Sequence, residues 1–284
     1  MVVAVQSRPP APQPARCGSS PQGHVFPRLP VVVLPVLTRS LSLLTLLLQD
    51  GAIDLELASS VVGLDPGLAF ATLQLANRKR AEGSNPIWQL PLAVVEAGRE
   101  ALEQYLQRAP SLESVSHVAR RRQLERLAAD AVVRACVAHL LARELGECNP
   151  RKAFLCGLLF ELPVMAHSAH SPVCPAEALL PAMCRILPAG FVRAAMTGAS
   201  EELPDGEALV AAVLLADAVV QAPAGSLEEL VASPRWNSWN ETDAGQRKSL
   251  LQHGCDLAAW AAASLHRMHP WEFMARLEGR NCWR

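Results

Sequence analysis

The carboxylate of Glu161 is a candidate for chemistry because it is the one acidic residue in a long apolar run, AFLCGLLFELPV. The run predicts a buried helix that presents Glu161 and is stopped by Pro163. Carboxylates can hold divalent metals, but one carboxylate cannot outcompete water for a metal, and several converging ligands are needed. Glu161 is therefore either one member of a larger ligand set or an acid that faces water.

The segment HSAHSPVC contains His167, His170 and Cys174, which are possible zinc ligands at short spacings. Structural zinc sites are almost always four-coordinate, and no clear fourth ligand accompanies these three residues. We interpret them as surface residues of a loop, and His266 and His269 are interpreted as surface residues in the same way. The sequence predicts no metal site and no cofactor.

Two basic runs could bind phosphate groups of a nucleotide or a nucleic acid. The first is formed by Arg78, Lys79 and Arg80, and the second extends from Arg120 to Arg126. The alternative is a pair of solvated helix ends, where cations at a C-terminus are favoured by the helix dipole. No stacking aromatic residues interleave with the basic residues, so the sequence does not favour a nucleic-acid partner.

The composition of the whole chain excludes several classes of protein. The chain has 26 Lys and Arg residues and 27 Asp and Glu residues, which gives a net charge of −1. It therefore has no overall positive potential that would attract nucleic acid or an anionic membrane. The eight cysteines include no CxxC pair, and the N-terminus lacks the apolar stretch of a secretory signal, which predicts a cytoplasmic protein with reduced thiols. The apolar segment Leu29–Asp50 contains Arg39, so we expect a buried helix and no membrane span.

Apolar residues recur at spacings of three and four through most of the chain, which predicts an all-α protein. Asp54 and Asp65 are predicted N-caps, and Pro66 suits a first helical position. Gly98 is predicted to break a helix, and Gly146 to end the long helix before it. Residues 1–27 are rich in proline, serine and glycine and predict a disordered tail.

Three segments in the same order resemble the HD-related output domain (HDOD) family of bacterial signalling proteins, a branch of the HD phosphohydrolase superfamily. The most specific is LDPGLAFATLQLAN, Leu64 to Asn77. The second is LARELGECNPRKAFLCGLLFELPVMA, which is similar to the central helices of the family. The third is ILPAGFVRAAMTGA followed by ALVAAVLLADAVV. The resemblance covers about Leu29 to Ala222 and implies an HDOD-like helical bundle.

The resemblance also implies that the superfamily's metal site is lost. Active HD enzymes use an adjacent His-Asp pair and neighbouring histidines to hold metals that activate water. This chain has Phe160 and Glu161 in place of that pair, and among the other positions only Asp217 keeps its expected type. The positions that correspond to the metal site are Asp130, Phe160, Glu161, Gly198, Ala199 and Asp217.

The domain organisation follows from the same resemblance. Residues 28–224 are predicted to form the HDOD-like domain, with an N-terminal helical part at 28–107 and a degenerate HD-like part at 108–224. Residues 225–284 are predicted to form a C-terminal helical extension. Five tryptophans of this extension are expected to pack it onto the helical body, the alternative being an exposed docking face. They are Trp236, Trp239, Trp260, Trp271 and Trp283.

These observations predict a non-catalytic signal-transduction or regulatory protein of bacteria, a pseudoenzyme that binds other signalling proteins. The sequence identifies neither these partners nor an oligomeric state. The alternative from a different class is a metal-dependent phosphohydrolase with a rearranged carboxylate site built on Asp130, Glu161 and Asp217. A third hypothesis, nucleotide or nucleic-acid binding, rests on the two basic runs.

Overall fold

The structure is a computed structural model, and its residues are described over most of the chain. The described residues are 31–49, 54–78, 80, 85–169, 176–197, 208–222, 227–239 and 242–279. The predicted disordered tail, 1–27, lies outside them. The predicted all-α class is confirmed, because these residues form fourteen α-helices and no β-strand. The only β-type pairing that they contain is an isolated bridge between Val36 and Ser111.

The helices follow one another along the chain with short connections. They are α1 (Thr38–Gln49), α2 (Leu55–Gly63), α3 (Pro66–Asn77), α4 (Leu90–Ala97), α5 (Arg99–Leu106), α6 (Val118–Leu145), α7 (Pro150–Leu159), α8 (Leu162–Ala169), α9 (Ala176–Ile186), α10 (Ala189–Thr197), α11 (Ala208–Gln221), α12 (Leu227–Val231), α13 (Ala244–Ser264) and α14 (Pro270–Leu277). Short 3₁₀ turns lie at Leu112–Ser114 and Pro234–Ser238.

The predicted helix boundaries in the first half are confirmed by their caps. Asp54 accepts hydrogen bonds from the backbone N–H groups of the first turn of α2, and Asp65 does the same for α3, which begins at Pro66. Gly98 separates α4 from α5 with a φ of 79°, and Gly146 follows α6 with a φ of 73°. Both angles are in the region that glycine adopts without a steric penalty.

Helices α6 and α7 form the centre of the bundle, and α8, α11 and α13 also pack against α6. Every residue of α7 from Ala153 to Leu159 is buried, as its apolar sequence predicts. The two helices approach closely at Gly157. A Cβ atom added to this residue would lie 2.8 Å from the Cα of Ala135 in α6. Only glycine allows the two backbones this separation.

The helix that carries Glu161 differs from the prediction at its end. Helix α7 ends at Leu159, and a new helix, α8, begins at Leu162. Pro163 does not stop a helix; it lies in the first turn of α8, where a missing N–H breaks no intrahelical hydrogen bond. Glu161 therefore lies at a junction between two helices. His167, predicted on a loop, lies within α8.

The C-terminal part packs onto the bundle as predicted. Trp236 is fully buried and Trp239 is buried beside it, with ring centroids 5.8 Å apart. The indole N–H of Trp236 donates to the carbonyl of Leu230 at 2.8 Å. Helix α13 packs along α6, and α14 packs on α2. Trp283 lies outside the described residues, and the domain boundary at residue 225 stays a prediction.

Helix α1 is tied to the C-terminal part by Arg39. Its guanidinium donates to the carbonyl of Met268 at 2.6 Å and to that of Leu265 at 3.3 Å. Arg39 is the charged residue that interrupts the apolar segment Leu29–Asp50, and its guanidinium is hydrogen-bonded by these two contacts. None of the helices in the described part of the chain has the length and apolar character that crossing a membrane requires.

Asp65 is a buried carboxylate that joins α3 to the chain before α1. Its oxygens accept hydrogen bonds from the N–H of Leu37 at 2.7 Å and from the N–H of Leu68 at 2.9 Å. Burial raises the pKa of Asp65 to about 6, although hydrogen bonds from Leu68, Leu37, Ser40 and Gly67 oppose the rise. Asp65 therefore binds a proton more tightly in the folded chain than in the unfolded chain.

We expect the stability of the protein to depend on pH through Asp65. Its raised pKa stabilises the folded state fully below about pH 4, and this contribution is lost as the pH rises through about 6. The loss has an upper limit of about 3 kcal/mol. Urea unfolding of wild type and Asp65→Asn between about pH 4 and 7 measures it, since wild type should lose stability relative to the variant as pH rises. A relative gain of wild type would contradict the prediction.

The matched control is Asp54→Asn. This substitution removes the same charge from the N-cap of α2, where Asp54 is exposed. The comparison separates the effect of burial from that of a charge at a helix N-terminus.

Candidate functional site

The side chain of Arg134 lies at the point where α6, the α7–α8 junction and α11 meet. It is fully buried, with 0% of its side chain exposed. Its Nη2 donates to Glu161 Oε1 at 2.8 Å, and its Nε donates to Asp217 Oδ1 at 2.8 Å. One guanidinium therefore bridges the two carboxylates that were candidate metal ligands.

The ring of Phe160 forms an apolar wall of this site. The guanidinium carbon of Arg134 lies 5.4 Å from the ring centroid of Phe160, within the range of a cation–π contact. Phe191 of α10 packs against the same ring in an edge-to-face arrangement, with centroids 6.1 Å apart. Phe160 is buried, so its aromatic ring is in contact with a cation inside the protein.

Asp130 lies one helical turn before Arg134 on α6, but it is not bonded to Arg134. Its carboxylate faces Arg126 at 3.6 Å and is 30% exposed. Asp130 is nevertheless close enough for its charge to act on Glu161. Of the predicted site positions, the structure brings together Phe160, Glu161 and Asp217 with Asp130 nearby. Gly198 and Ala199 lie outside the described residues.

The pKa of Glu161 is raised above its ordinary value, and burial is the main cause. The guanidinium of Arg134 opposes the rise, while the charges of Asp217 and Asp130 add to it. A single buried cation therefore does not compensate fully for the desolvation of Glu161 and the repulsion of two other acids.

The arrangement does not fit the divalent metal that HD enzymes use. Such a metal needs several nitrogen or oxygen ligands that converge on one point. Within the part of the chain that the structure describes, no group of three or more His, Cys, Asp or Glu side chains could hold a metal ion. Arg134 occupies the space between Glu161 and Asp217 that a shared cation would take. The site therefore joins three helical elements through ion pairs.

Residues 34–174 match the family model of the HDOD domain. This region of the chain is an HDOD domain. The match confirms the predicted family, and it includes Asp130, Arg134 and Glu161 but not Asp217. No curated protein matches the chain.

Two crystal structures of the MmoQ response regulator from Methylococcus capsulatus str. Bath are similar to the chain in fold. The first has a TM-score of 0.52 and 17% sequence identity, and covers 76% of this chain and 98% of the MmoQ chain. The second, a fragment of residues 20–298, has a TM-score of 0.50 and 17% identity, and covers 83% of this chain and 94% of that chain. The likeness extends the shared helical fold beyond the matched HDOD region.

Arg134 is the residue of this HDOD domain that sequence reasoning missed. A signal was present, because Arg134 is the one charged residue in the apolar stretch AVVRACVA of α6. A charged residue with apolar neighbours on all sides of a helix must be buried and paired. Asp217, the metal-site position that keeps its expected residue type, is paired with Arg134.

The predicted phosphate patch stays a prediction. Arg78 follows the end of α3 and lines a cavity of about 30 Å³ together with Arg185 of α9, while Arg80 is exposed. Lys79 lies outside the described residues. In the second basic run, Arg121 lies 3.8 Å from Glu125 and so is partly neutralised.

Proposed function

We propose that this chain is a non-catalytic signalling or regulatory protein of the bacterial cytoplasm that acts by binding other signalling proteins. The observation that carries the proposal is the bridge from Arg134 to Glu161 and Asp217, because a buried guanidinium lies between two residues that the resemblance assigns to the metal site. Phe160 supports it, since an aromatic ring replaces a nitrogen ligand. The HDOD family and the fold shared with a response regulator support the signalling role.

The chemistry of HD hydrolysis needs a metal to lower the pKa of water and to stabilise charge on phosphorus. Arg134 can do neither for a substrate, because its side chain is fully buried and already engaged by two carboxylates. The ion pairs instead hold α6, α11 and the α7–α8 junction in fixed relative positions. A rigid helical body of this kind suits recognition by a partner surface.

We expect protein purified without chelator and incubated with Mn, Mg, Zn and Fe to carry close to no bound metal by elemental mass spectrometry. The physical reason is that a divalent ion would have to displace a buried guanidinium from both of its partners. The same protein should not hydrolyse cyclic dinucleotides or nucleoside phosphates. Glu161→Ala and Asp217→Ala are the variants that identify the site if metal is found.

The alternative, a phosphohydrolase with a rearranged carboxylate site, makes the opposite prediction. One metal per chain that is lost in Glu161→Ala, or hydrolysis that Glu161→Ala abolishes, would overturn the non-catalytic proposal. The binding part is tested separately by cross-linking in the native cells followed by mass spectrometry. Failure to recover any signalling protein there would contradict it even if the chain is free of metal.

A further inference from the structure

A cavity of about 570 Å³ lies among α1, the 3₁₀ turn at Leu112–Ser114, α6 and the connection between α13 and α14. Cavities of about 300–1,000 Å³ are typical of sites for small molecules. The cavity is separate from Arg134 and from the described residues of the degenerate metal site, none of which lines it. It lies where the N-terminal helices, the HD-like part and the C-terminal part meet, which is a common location for a ligand site.

The wall of the cavity is mainly apolar, and leucines from four parts of the chain form it. Leu43 comes from α1, Leu64 from the α2–α3 connection, Leu112 from the 3₁₀ turn and Leu265 from the connection after α13. Leu64 and Leu112 are buried, so these two side chains are held by their neighbours in the protein. An apolar ligand body placed here would be removed from water on several sides.

The polar rim of the cavity carries more positive than negative charge. Three guanidinium groups, those of Arg39, Arg122 and Arg126, face two carboxylates, those of Glu113 and Glu125. His266 also lines the rim. The hydroxyl of Thr38 is buried in the wall without a hydrogen-bond partner in the described residues, so it is available to a polar group of a ligand.

Arg122 is the cation of this rim that is available to a ligand. Arg39 is committed to the carbonyls of Leu265 and Met268. Arg126 is engaged by Asp130 at 3.6 Å. The guanidinium of Arg122 makes no hydrogen bond or ion pair with any residue that the structure describes, and its side chain is exposed at the cavity. A carboxylate, like a phosphate, can accept two parallel hydrogen bonds from a free guanidinium.

We propose that this cavity binds a small amphipathic acid, with its apolar body on the leucine wall and its carboxylate at Arg122. The proposal does not rest on the proposed function, because it would hold for an enzyme as well as for a regulator. A ligand in this position would contact α1, α6 and the α13–α14 connection at the same time. It would therefore favour the arrangement in which these three parts are closed on one another.

Decanoate is a suitable probe, because it combines a flexible apolar chain with one carboxylate. We expect saturable binding of one decanoate per full-length chain by isothermal titration calorimetry, at concentrations up to about 1 mM. Decanol, which has no charge, should bind about tenfold more weakly, since it loses a charge-assisted hydrogen bond. Equal binding of the acid and the alcohol, or titration without saturation, would overturn the proposal.

The decisive variants change α6 at exposed or half-buried positions. Arg122→Glu should weaken decanoate binding about tenfold or more, because attraction becomes repulsion. Arg120→Glu makes the same change of charge on the same helix, but Arg120 does not line the cavity, so its affinity should stay within about twofold of wild type. Ala129→Phe places a ring in the cavity and should abolish binding.

Circular dichroism and thermal unfolding of each variant show whether it is folded. If Ala129→Phe does not fold, the comparison of Arg122→Glu with Arg120→Glu still decides the question, because Arg122 is exposed and Arg120 is only half-buried, so neither change places a charge in the core. Equal losses in these two variants, or full binding in a folded Ala129→Phe, would show that decanoate does not bind in this cavity.

Discussion

Replacing Arg134 with methionine is expected to lower the free energy of unfolding by about 3–5 kcal/mol. The substitution keeps most of the side-chain volume but leaves Glu161 and Asp217 without their partner, and the exposed fractions of these side chains are only 13% and 26%. The cost of a buried charge without a partner exceeds the net value of the pair itself. Urea denaturation followed by tryptophan fluorescence measures the change.

A triple variant separates the pairing from simple loss of packing. Arg134→Met combined with Glu161→Gln and Asp217→Asn leaves no charge in the site, so it should recover most of the stability that the single variant loses. The single variant should also become more stable relative to wild type as the pH falls, because the pKa of Glu161 is already raised and would rise further without Arg134. A loss of less than about 1 kcal/mol, independent of pH, would show that Arg134 is not the partner of these acids.

Gly157→Ala is expected to destabilise the protein by about 2 kcal/mol or more, although alanine is the better helix former by about 1 kcal/mol. The added methyl would lie 2.8 Å from the Cα of Ala135 and 3.1 Å from its backbone nitrogen. These are backbone atoms of a central helix and cannot move aside alone, so α7 must shift away from α6. The shift would also carry Glu161 away from Arg134.

Gly254→Ala is the matched control in α13. There the added methyl would meet only the side chain of Val137, at 3.4 Å, which is an ordinary contact. This variant should be neutral or stabilised, since it gains helix propensity without a backbone clash. The difference in the midpoint of thermal unfolding between the two glycine variants isolates the close approach of α6 and α7. Equal midpoints would mean that the two helices are not in tight contact at Gly157.

The helix boundaries could be read from the sequence because their causes are local. Asp65 and Pro66 specify a helix start within two residues, and Gly146 specifies an end by its freedom to adopt a positive φ. The apolar run of α7 predicts a central helix because no polar face is available to water. Pro163 was interpreted wrongly for the same local reason, since a proline is compatible both with the end of one helix and with the first turn of the next.

The candidate site could be predicted only in part, because it depends on contacts between distant residues. The resemblance to a known family identified Glu161 and Asp217, but Arg134 lies 27 residues from the first and 83 from the second. The spacing of apolar residues along a helix does not predict which buried cation pairs with which acid. The cavity at Arg122 could not be predicted from the sequence, since its walls come from five separate parts of the chain.

The hydrogen bond between Arg39 and Leu265 joins two parts of the chain that are synthesised at different times. The two residues are 226 positions apart in the chain. At about 5–20 residues per second, a ribosome needs roughly 11 to 45 s to add the residues between them. Helix α1 is thus synthesised well before the carbonyls that hold its arginine, and the two can join only after Met268 has been added to the chain. The leucine-lined cavity, whose wall includes Leu265, is therefore completed only after the central helices have already had time to fold.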